Sequence, residues 1–84
     1  MDLLGVGFSN FINLDRLVAI VSPESAPLKR LAQQAKENSM AIDVTFGRKT
    51  RSLLIMDTGH VILSCLQAET LQMRLEKNNK DREI

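Results

Sequence analysis

The sequence predicts an α+β domain, built from a mainly antiparallel β-sheet with one long helix and a short C-terminal helix. Apolar runs of strand length recur between turn residues, whereas only two segments place apolar residues at helical spacing. A chain of 84 residues has room for one hydrophobic core. We therefore expect a single domain over residues 1–77 and a charged, disordered tail over residues 78–84.

The first part of the chain is predicted to be extended. Residues 3–7 and 11–14 are β-prone pieces, and Phe8-Ser9-Asn10 between them is typical of a turn, because Ser and Asn side chains satisfy local backbone groups. Residues 16–22 form the next strand, which ends at Pro23. Its nearly continuous apolar run predicts burial on both faces.

A helix over about residues 26–38 follows. Its apolar residues fall at i, i+3, i+4 and i+7 and form one stripe, Leu28, Leu31, Ala32 and Ala35. Two N-caps compete: Ser22 with Pro23 at the first helical position, and Ser25 with Pro27 at the second. We favour Ser25, because from Ser22 the missing N–H of Pro27 would fall where an intrahelical bond is already due.

The second half is predicted to contain three strands in series and a short helix. The strands are residues 41–46, 50–56 and 60–66, and the helix runs from Glu69 to about Lys77. The connections at residues 47–49 and 57–59 are of hairpin length, and each has the glycine that supplies a positive φ angle.

The last two strands are apolar on both sides. Leu53 and Ile55 point one way, while Leu54 and Met56 point the other. A sheet that is apolar on both faces must be covered on both. Since one long helix covers only one face, we expect a second subunit on the other and hence a homo-oligomer.

Composition and charge exclude several classes of function. Hydrophobic residues make up 44% of the chain and charged residues 25%, which is typical of a globular protein. A net charge of +1 excludes a generally polycationic nucleic-acid binder. A single cysteine can form neither an internal disulfide nor the ligand set of a zinc site, which favours a protein of the reducing cytosol. No signal-peptide pattern or membrane-length apolar run is present in the sequence, so we expect no membrane partner.

Residues for catalysis are hard to find. His60 is the only histidine and opens a strand, a position typical of a hydrogen-bonded structural residue. Cys65 lies in an apolar strand, as a small core residue would. No pair of carboxylates has the spacing of an acid–base pair or a metal site. We expect no enzymatic activity, no cofactor, no metal and no small-molecule substrate.

The best functional candidate is the run Gly47-Arg48-Lys49-Thr50-Arg51, hereafter the basic segment. It is predicted at a hairpin tip, where its side chains would project freely. Because the whole chain nets +1 and this segment carries three positive charges, the remainder nets −2. The guanidinium groups of arginine and the hydroxyl of threonine can donate hydrogen bonds to phosphate oxygens, and arginine can also donate to the edge of guanine. The alternative is a solvated turn that is merely basic.

Other candidates are weaker. Arg16 is either a second phosphate contact or a structural partner of Asp15 or Asp43. Aromatic residues are few, which argues against a stacking platform for single-stranded nucleic acid and leaves duplex DNA; they are Phe8, Phe11 and Phe46.

Three stretches also carry a family resemblance. They are residues 20–30 with Ser22-Pro23-Glu24-Ser25-Ala26-Pro27, residues 42–51 with Phe46-Gly47-Arg48-Lys49-Thr50-Arg51, and residues 55–64 with Met56-Asp57-x-x-His60. They resemble the RemA family of extracellular-matrix regulatory proteins, and the similarity extends from about Gly7 to Leu75.

The resemblance implies a small transcriptional regulator that activates biofilm-matrix genes and assembles into a ring of identical subunits on duplex DNA. It places the DNA-contacting basic pair on Arg48 and Lys49, and it links Arg16 and Pro27 to function. The family usually has arginine where this chain has Lys49, which weakens bidentate contact there. Ser9 stands where the family usually has glycine.

We therefore expect an oligomeric, duplex-DNA-binding transcription regulator in the cytoplasm, associated with the nucleoid. Its DNA contacts would be Arg48, Lys49, Arg51 and Arg16. A ring repeats these contacts, and linked sites bind far more tightly than one. The alternative is a self-assembling structural scaffold whose basic hairpin binds a protein or an anionic ligand.

Overall fold

A computed structural model of the chain describes the backbone of residues 2–82 and the side chains of residues 2–77. Within this range the chain forms six strands, a short 3₁₀ helix and two α-helices. In chain order they are β1 (Leu3–Gly7), β2 (Asn10–Asn13), the 3₁₀ helix (Leu14–Arg16), β3 (Leu17–Val21), α1 (Ala26–Glu37), β4 (Ala41–Asp43), β5 (Ser52–Met56), β6 (Val61–Ser64) and α2 (Ala68–Arg82). The predicted α+β class is confirmed.

The first two strands form an antiparallel hairpin, which confirms the predicted turn. Leu4 is paired with Ile12, and both side chains are buried. The turn residues Phe8 and Ser9 have φ angles of +52° and +61°. Asn10 already belongs to β2, and its side-chain amide donates to the carbonyl of Gly7 at 3.0 Å.

The other strands form one mixed sheet in the order β3-β5-β6-β4. β5 is antiparallel to both β3 and β6, and the hairpin at residues 57–59 is confirmed, with Met56 N–H donating to His60 O at 2.9 Å. β4 instead runs parallel to β6, with Ile42 beside Ile62. The hairpin predicted at residues 47–49 is therefore wrong, because these residues pass the end of β6 to reach β5.

β3 lies at the edge of this sheet, and its predicted burial on both faces is wrong. Val18 is 66% exposed, and the other residues of the strand are half-buried. An edge strand has a neighbour on one side only, so an apolar sequence does not ensure that it is enclosed. Arg16 belongs to the 3₁₀ helix rather than to the strand.

α1 begins where the sequence predicts. Ser25 is the N-cap, and its hydroxyl accepts a hydrogen bond from the backbone N–H of Leu28 at 3.4 Å. Pro27 therefore occupies the second helical position, where its missing N–H costs no intrahelical bond. Two residues of the predicted apolar stripe pack against the sheet: Ala35 is buried in the cluster that contains Leu53 and Leu63, and Ala32 is partly buried against it.

The second face of the sheet is covered by the same chain. Leu4 and Val6 of β1 and Leu71 of α2 are buried in one cluster with Leu54 and Ile62. The premise that another subunit must cover this face is therefore wrong, because the N-terminal hairpin and the C-terminal helix cover it together. The homo-oligomer itself stays a prediction.

The predicted lengths of the two helices are reversed. α1 has 12 residues, whereas α2 has 15 and continues to Arg82. Neither glycine nor proline interrupts residues 68–82, so no residue breaks the helix near Lys77. The predicted boundary between domain and tail thus falls within α2, and residues 83 and 84 of that tail lie outside the described residues.

The packing of α2 can be tested through Leu71, which has no exposed surface. We expect Leu71→Ala to lower the free energy of unfolding by about 2–5 kcal/mol, because it leaves a cavity between α2 and the sheet. Met73→Ala is the matched control, since Met73 is 68% exposed on the same helix. Urea denaturation measures both variants, and an equally small loss in the two would contradict the assignment of α2 to the core.

Candidate functional site

The basic segment begins in a tight turn at the end of β4. The backbone N–H of Arg48 donates to the carbonyl of Thr45 at 3.1 Å, and the central residues Phe46 and Gly47 have φ angles of +55° and +81°. Positive φ at both central residues is the pattern of a type I′ turn, which favours Asn and Gly. Glycine adopts such angles freely, but a phenylalanine there costs of order 1–3 kcal/mol.

A carboxylate fixes the start of this turn. Asp43 Oδ1 accepts hydrogen bonds from the Thr45 hydroxyl at 2.6 Å and from the Thr45 backbone N–H at 2.8 Å. These two bonds, together with the charge of Lys36, hold the pKa of Asp43 below its usual value, although partial burial opposes this effect. Val44 N–H donates to Leu63 O at 3.0 Å, so the turn is also tied to β6.

The end of the basic segment is held by backbone and by two buried serines. Arg51 N–H donates to Ser64 O at 2.8 Å. Next to it, the hydroxyl of Ser52 donates to Leu66 O at 2.7 Å, and the hydroxyl of Ser64 donates to Val6 O at 2.8 Å. Arg48, Lys49 and Arg51 are exposed between these anchors. The segment is therefore a fixed loop with exposed cationic side chains.

The turn of the N-terminal hairpin lies against this loop. The rings of Phe8 and Phe46 have centroids 5.2 Å apart and are tilted by 44°. The guanidinium carbon of Arg48 lies 5.3 Å from the centre of the Phe8 ring, within cation–π range. We call Phe8, Phe46 and Arg48 the aromatic patch.

The sequence analysis missed this patch. The small number of aromatic residues argues against a stacking surface, yet two of the three phenylalanines are in contact and expose 45% and 81% of their surface. The only local signal was Phe8 in the predicted turn, where a large apolar residue is unusual; Phe46 was predicted in the strand 41–46, and its place in a turn appears only in the structure.

The other two cations of the basic segment lie on a separate groove. Lys49 and Arg51 line a cavity of about 520 Å³ between the N-terminal ends of the two helices. Lys29 of α1 lines it as well. Glu24 and Glu69 face the same groove, so its charge is mixed.

Arg16 does not join the basic segment within one chain. Its guanidinium forms an ion pair with Asp57 at 3.1 Å, and Asp57 N–H donates to Arg16 O at 2.8 Å. Neither Asp15 nor Asp43 is its partner, so those two expectations are wrong. Asp57 follows the end of β5, whereas Arg51 precedes its start. The five residues of this strand span about 17 Å, so Arg16 and its partner lie at the opposite end of β5 from the basic segment.

His60 has the surroundings of a structural residue, whereas Cys65 lies outside the strand in which the sequence predicted it. His60 Nδ1 lies 2.6 Å from the hydroxyl of Thr58 in the β5–β6 turn, and Cys65 is half-buried after β6. Among the described residues, no three His, Cys, Asp or Glu side chains are grouped so as to hold a metal ion. A search of the same residues finds no helix with the length and apolarity to cross a membrane.

Comparison with known proteins identifies the family. A family model described as "Extracellular matrix regulatory protein A-like" matches residues 3–75. The chain belongs to the RemA-like family. The resemblance found in the sequence motifs is therefore confirmed, over nearly all of the residues that the structure describes.

Similar proteins from several bacteria share almost the full chain. A protein of Finegoldia magna is 66% identical over 79 residues, which cover 94% of this chain and 95% of that protein. One from Thermoanaerobacter sp. is 54% identical over 80 residues, covering 95% and 83% respectively. One from Alkaliphilus metalliredigens is 48% identical over 84 residues, covering 100% and 90%. Their names call these RemA-like relatives regulatory proteins, not enzymes.

The turn at Asp43 predicts a pH dependence of stability. Since the folded state lowers the pKa of Asp43 from 3.8, ionised Asp43 stabilises the fold above that value, and this contribution is lost as pH falls through the lowered value. Asp43→Asn keeps the side-chain acceptor without the charge. Urea denaturation should show wild type more stable than Asp43→Asn at neutral pH, with a difference that shrinks on acidification. A difference that is constant with pH would contradict this role.

Proposed function

We propose that this protein is an oligomeric transcription regulator that binds duplex DNA, similar to the regulators of biofilm extracellular-matrix genes for which the family is named. The observation that carries the proposal is the fixed loop at residues 44–51, which is anchored to β6 at both ends and presents three exposed cations. The family membership and the relatives' names support the regulatory part of the proposal.

The chemistry of this loop suits a phosphate backbone. A guanidinium presents planar donors that match two phosphate oxygens, and such charge-assisted hydrogen bonds are about twice as strong as neutral ones. Arg48 is held over the Phe8 ring, so less side-chain freedom is lost when it binds. Lys49 adds a point charge without the planar fork. Arg48 is therefore proposed as the principal contact, with Lys49 and Arg51 beside it.

Association of several copies would supply the positive charge that one chain lacks. A net charge of +1 gives little attraction for DNA, whereas a ring would present the basic segment once in every subunit. The edge strands of the sheet are open to such contacts, since Val18 on β3 and Ile42 on β4 are 66% and 46% exposed. We propose a homo-oligomeric ring on this basis.

Arg16 is proposed as a separate DNA contact. Its side chain is 64% exposed, and its ion pair with Asp57 lies at the surface, where such a pair contributes little to stability. Arg16 can therefore exchange Asp57 for a phosphate as its partner at little cost in free energy. Because Arg16 lies at the far end of β5, it would contact a different part of the duplex from Arg48.

The location and partners follow from this function. A DNA-bound regulator acts in the cytoplasm at the nucleoid, and the proposal requires no enzymatic step, cofactor, small-molecule substrate or membrane.

The second candidate is a self-assembling scaffold. Exposed apolar residues favour it, because Phe46, Val18 and Phe11 are 81%, 66% and 62% exposed and would suit protein contacts.

Replacement of the basic pair separates the two candidates. We expect Arg48→Ala to weaken binding to duplex DNA by at least about tenfold, and to flatten the slope of log affinity against log salt by about one unit for each phosphate that the variant no longer neutralises. Lys49→Ala should act in the same direction with a smaller effect. Arg30→Ala, which removes an exposed arginine of α1, is the matched control and should change little.

Gel-shift or anisotropy titrations at several salt concentrations measure these affinities, with thermal melting as a check on folding. If a folded Arg48→Ala, Lys49→Ala double variant keeps the full affinity and salt slope of the wild type, the scaffold becomes the better account.

The oligomer is tested by light scattering on the wild-type protein. We expect a mass several times that of one 84-residue chain at micromolar concentration, because the open sheet edges allow copies to join. The variants of the basic pair should have the same mass, since their side chains are exposed. The mass of a single chain would contradict the ring.

A further inference from the structure

The core of this protein contains no phenylalanine from its described residues. The fully buried side chains are aliphatic or serine, whereas Phe8, Phe11 and Phe46 are 45%, 62% and 81% exposed. Aromatic rings normally contribute most when they are buried in a core or an interface. Folding of the single chain therefore leaves more than half of the Phe11 and Phe46 surface, and nearly half of the Phe8 surface, exposed.

Phe8 and Phe46 are also held in an unfavourable backbone conformation. Both have positive φ angles, of +52° and +55°, at the centre of tight turns where Asn or Gly would fit without strain. A strained residue at an exposed turn is a sign of function rather than of stability. Phe8 and Phe46 both show this sign, and their rings are in contact with each other.

The aromatic patch has a supporting ring and an outer ring. Phe8 is the more covered of the two and has Arg48 over its face at 5.3 Å. Phe46 leans on Phe8 at 5.2 Å and is the most exposed large apolar side chain among the described residues. The outer ring therefore projects from a rigid base, beside a guanidinium that can hold a phosphate.

We propose, on the basis of the DNA-binding function above, that Phe46 inserts as an apolar wedge at a base step of the bound duplex. Phe8 braces the inserted ring, and Arg48 contacts a phosphate next to the step. Opening a base step exposes flat aromatic surfaces that an apolar ring can cover, and proteins that insert such wedges kink the duplex. Pyrimidine–purine steps open most easily, so TA steps are the expected sites.

Charge favours DNA over another copy of this chain as the occupant of the patch. The patch combines an apolar ring with a guanidinium and is followed by Lys49, so its occupant has to present flat apolar surface directly beside negative charge, as the phosphates on either side of an opened base step do. Among the side chains that the structure describes, Asp43 is the one acid that lines the surface beside Phe8 and Phe46, and its carboxylate already accepts two hydrogen bonds from Thr45. A contact between copies is the competing outcome of the test.

The probe is a duplex of a few helical turns in which adenines of several TA steps are replaced by 2-aminopurine, whose fluorescence rises when it is unstacked. We expect the wild-type protein to bind and to raise the fluorescence. Phe46→Ala should abolish the rise and weaken binding by about tenfold, with an unchanged salt slope, because a neutral ring releases no counterions. Arg48→Ala should instead flatten that slope.

Two further variants act as controls. Phe46→Asn suits the positive φ angle and removes the ring, so it should melt no lower than wild type and still abolish the rise. Phe11→Ala removes the third exposed ring, which lies beside Gly5 on the other hairpin strand, and should leave the fluorescence rise intact. Phe46→Leu keeps an apolar wedge and should retain part of the signal.

The outcomes separate this inference from the function on which it rests. Absence of duplex binding by the wild type would overturn the DNA-binding proposal itself. Binding without a fluorescence rise, or an equal rise with Phe46→Ala, would overturn the wedge alone. A loss of native mass in both Phe46→Ala and Phe46→Asn would assign the ring to contacts between copies and would also overturn the wedge.

Discussion

The parallel pairing of β4 with β6 is the constraint on which the proposed DNA-binding surface depends. It forces residues 44–51 to pass the end of β6 before β5 can begin, instead of forming a hairpin. The crossing loop is tied to β6 through Leu63 at its start and Ser64 at its end. Because the hydroxyl of Ser64 also holds Val6 of β1, the same strand brings the N-terminal turn against the loop. One buried strand, β6, therefore anchors both the loop that carries the basic segment and the turn that carries Phe8.

The division of roles along the chain follows from this arrangement. Aliphatic side chains from all parts of the chain cover both faces of the sheet, so stability does not require the aromatic or cationic residues. Those residues stand in turns whose backbone is fixed by Asp43 and by two buried serines. Rigid turns that carry exposed side chains lose little freedom on binding, which is the advantage of preorganisation.

Sequence alone predicted what local chemistry determines. The cap at Ser25, the position of Pro27 and the turn at residues 57–59 each depend on neighbouring residues, and all three are confirmed. The partner of β4 was mispredicted, because a short loop with glycine suits a hairpin and a crossing equally well. Likewise the pairing of Arg16 with Asp57 joins residues 41 positions apart, which no local pattern reveals. The run of basic residues at 48–51 is visible in the sequence, but the contact of Arg48 with Phe8 depends on the tertiary fold.

Hydrogen exchange with and without duplex DNA tests the account most directly, because it locates the bound surface by residue and is insensitive to which variants fold. If the turns are the DNA interface, peptides that contain residues 7–10 and 44–51 gain the strongest protection on binding, while α1 residues after the first turn change little. Strong protection confined to α1 and the edge of β3, with both turns exchanging as in the free protein, would contradict the account.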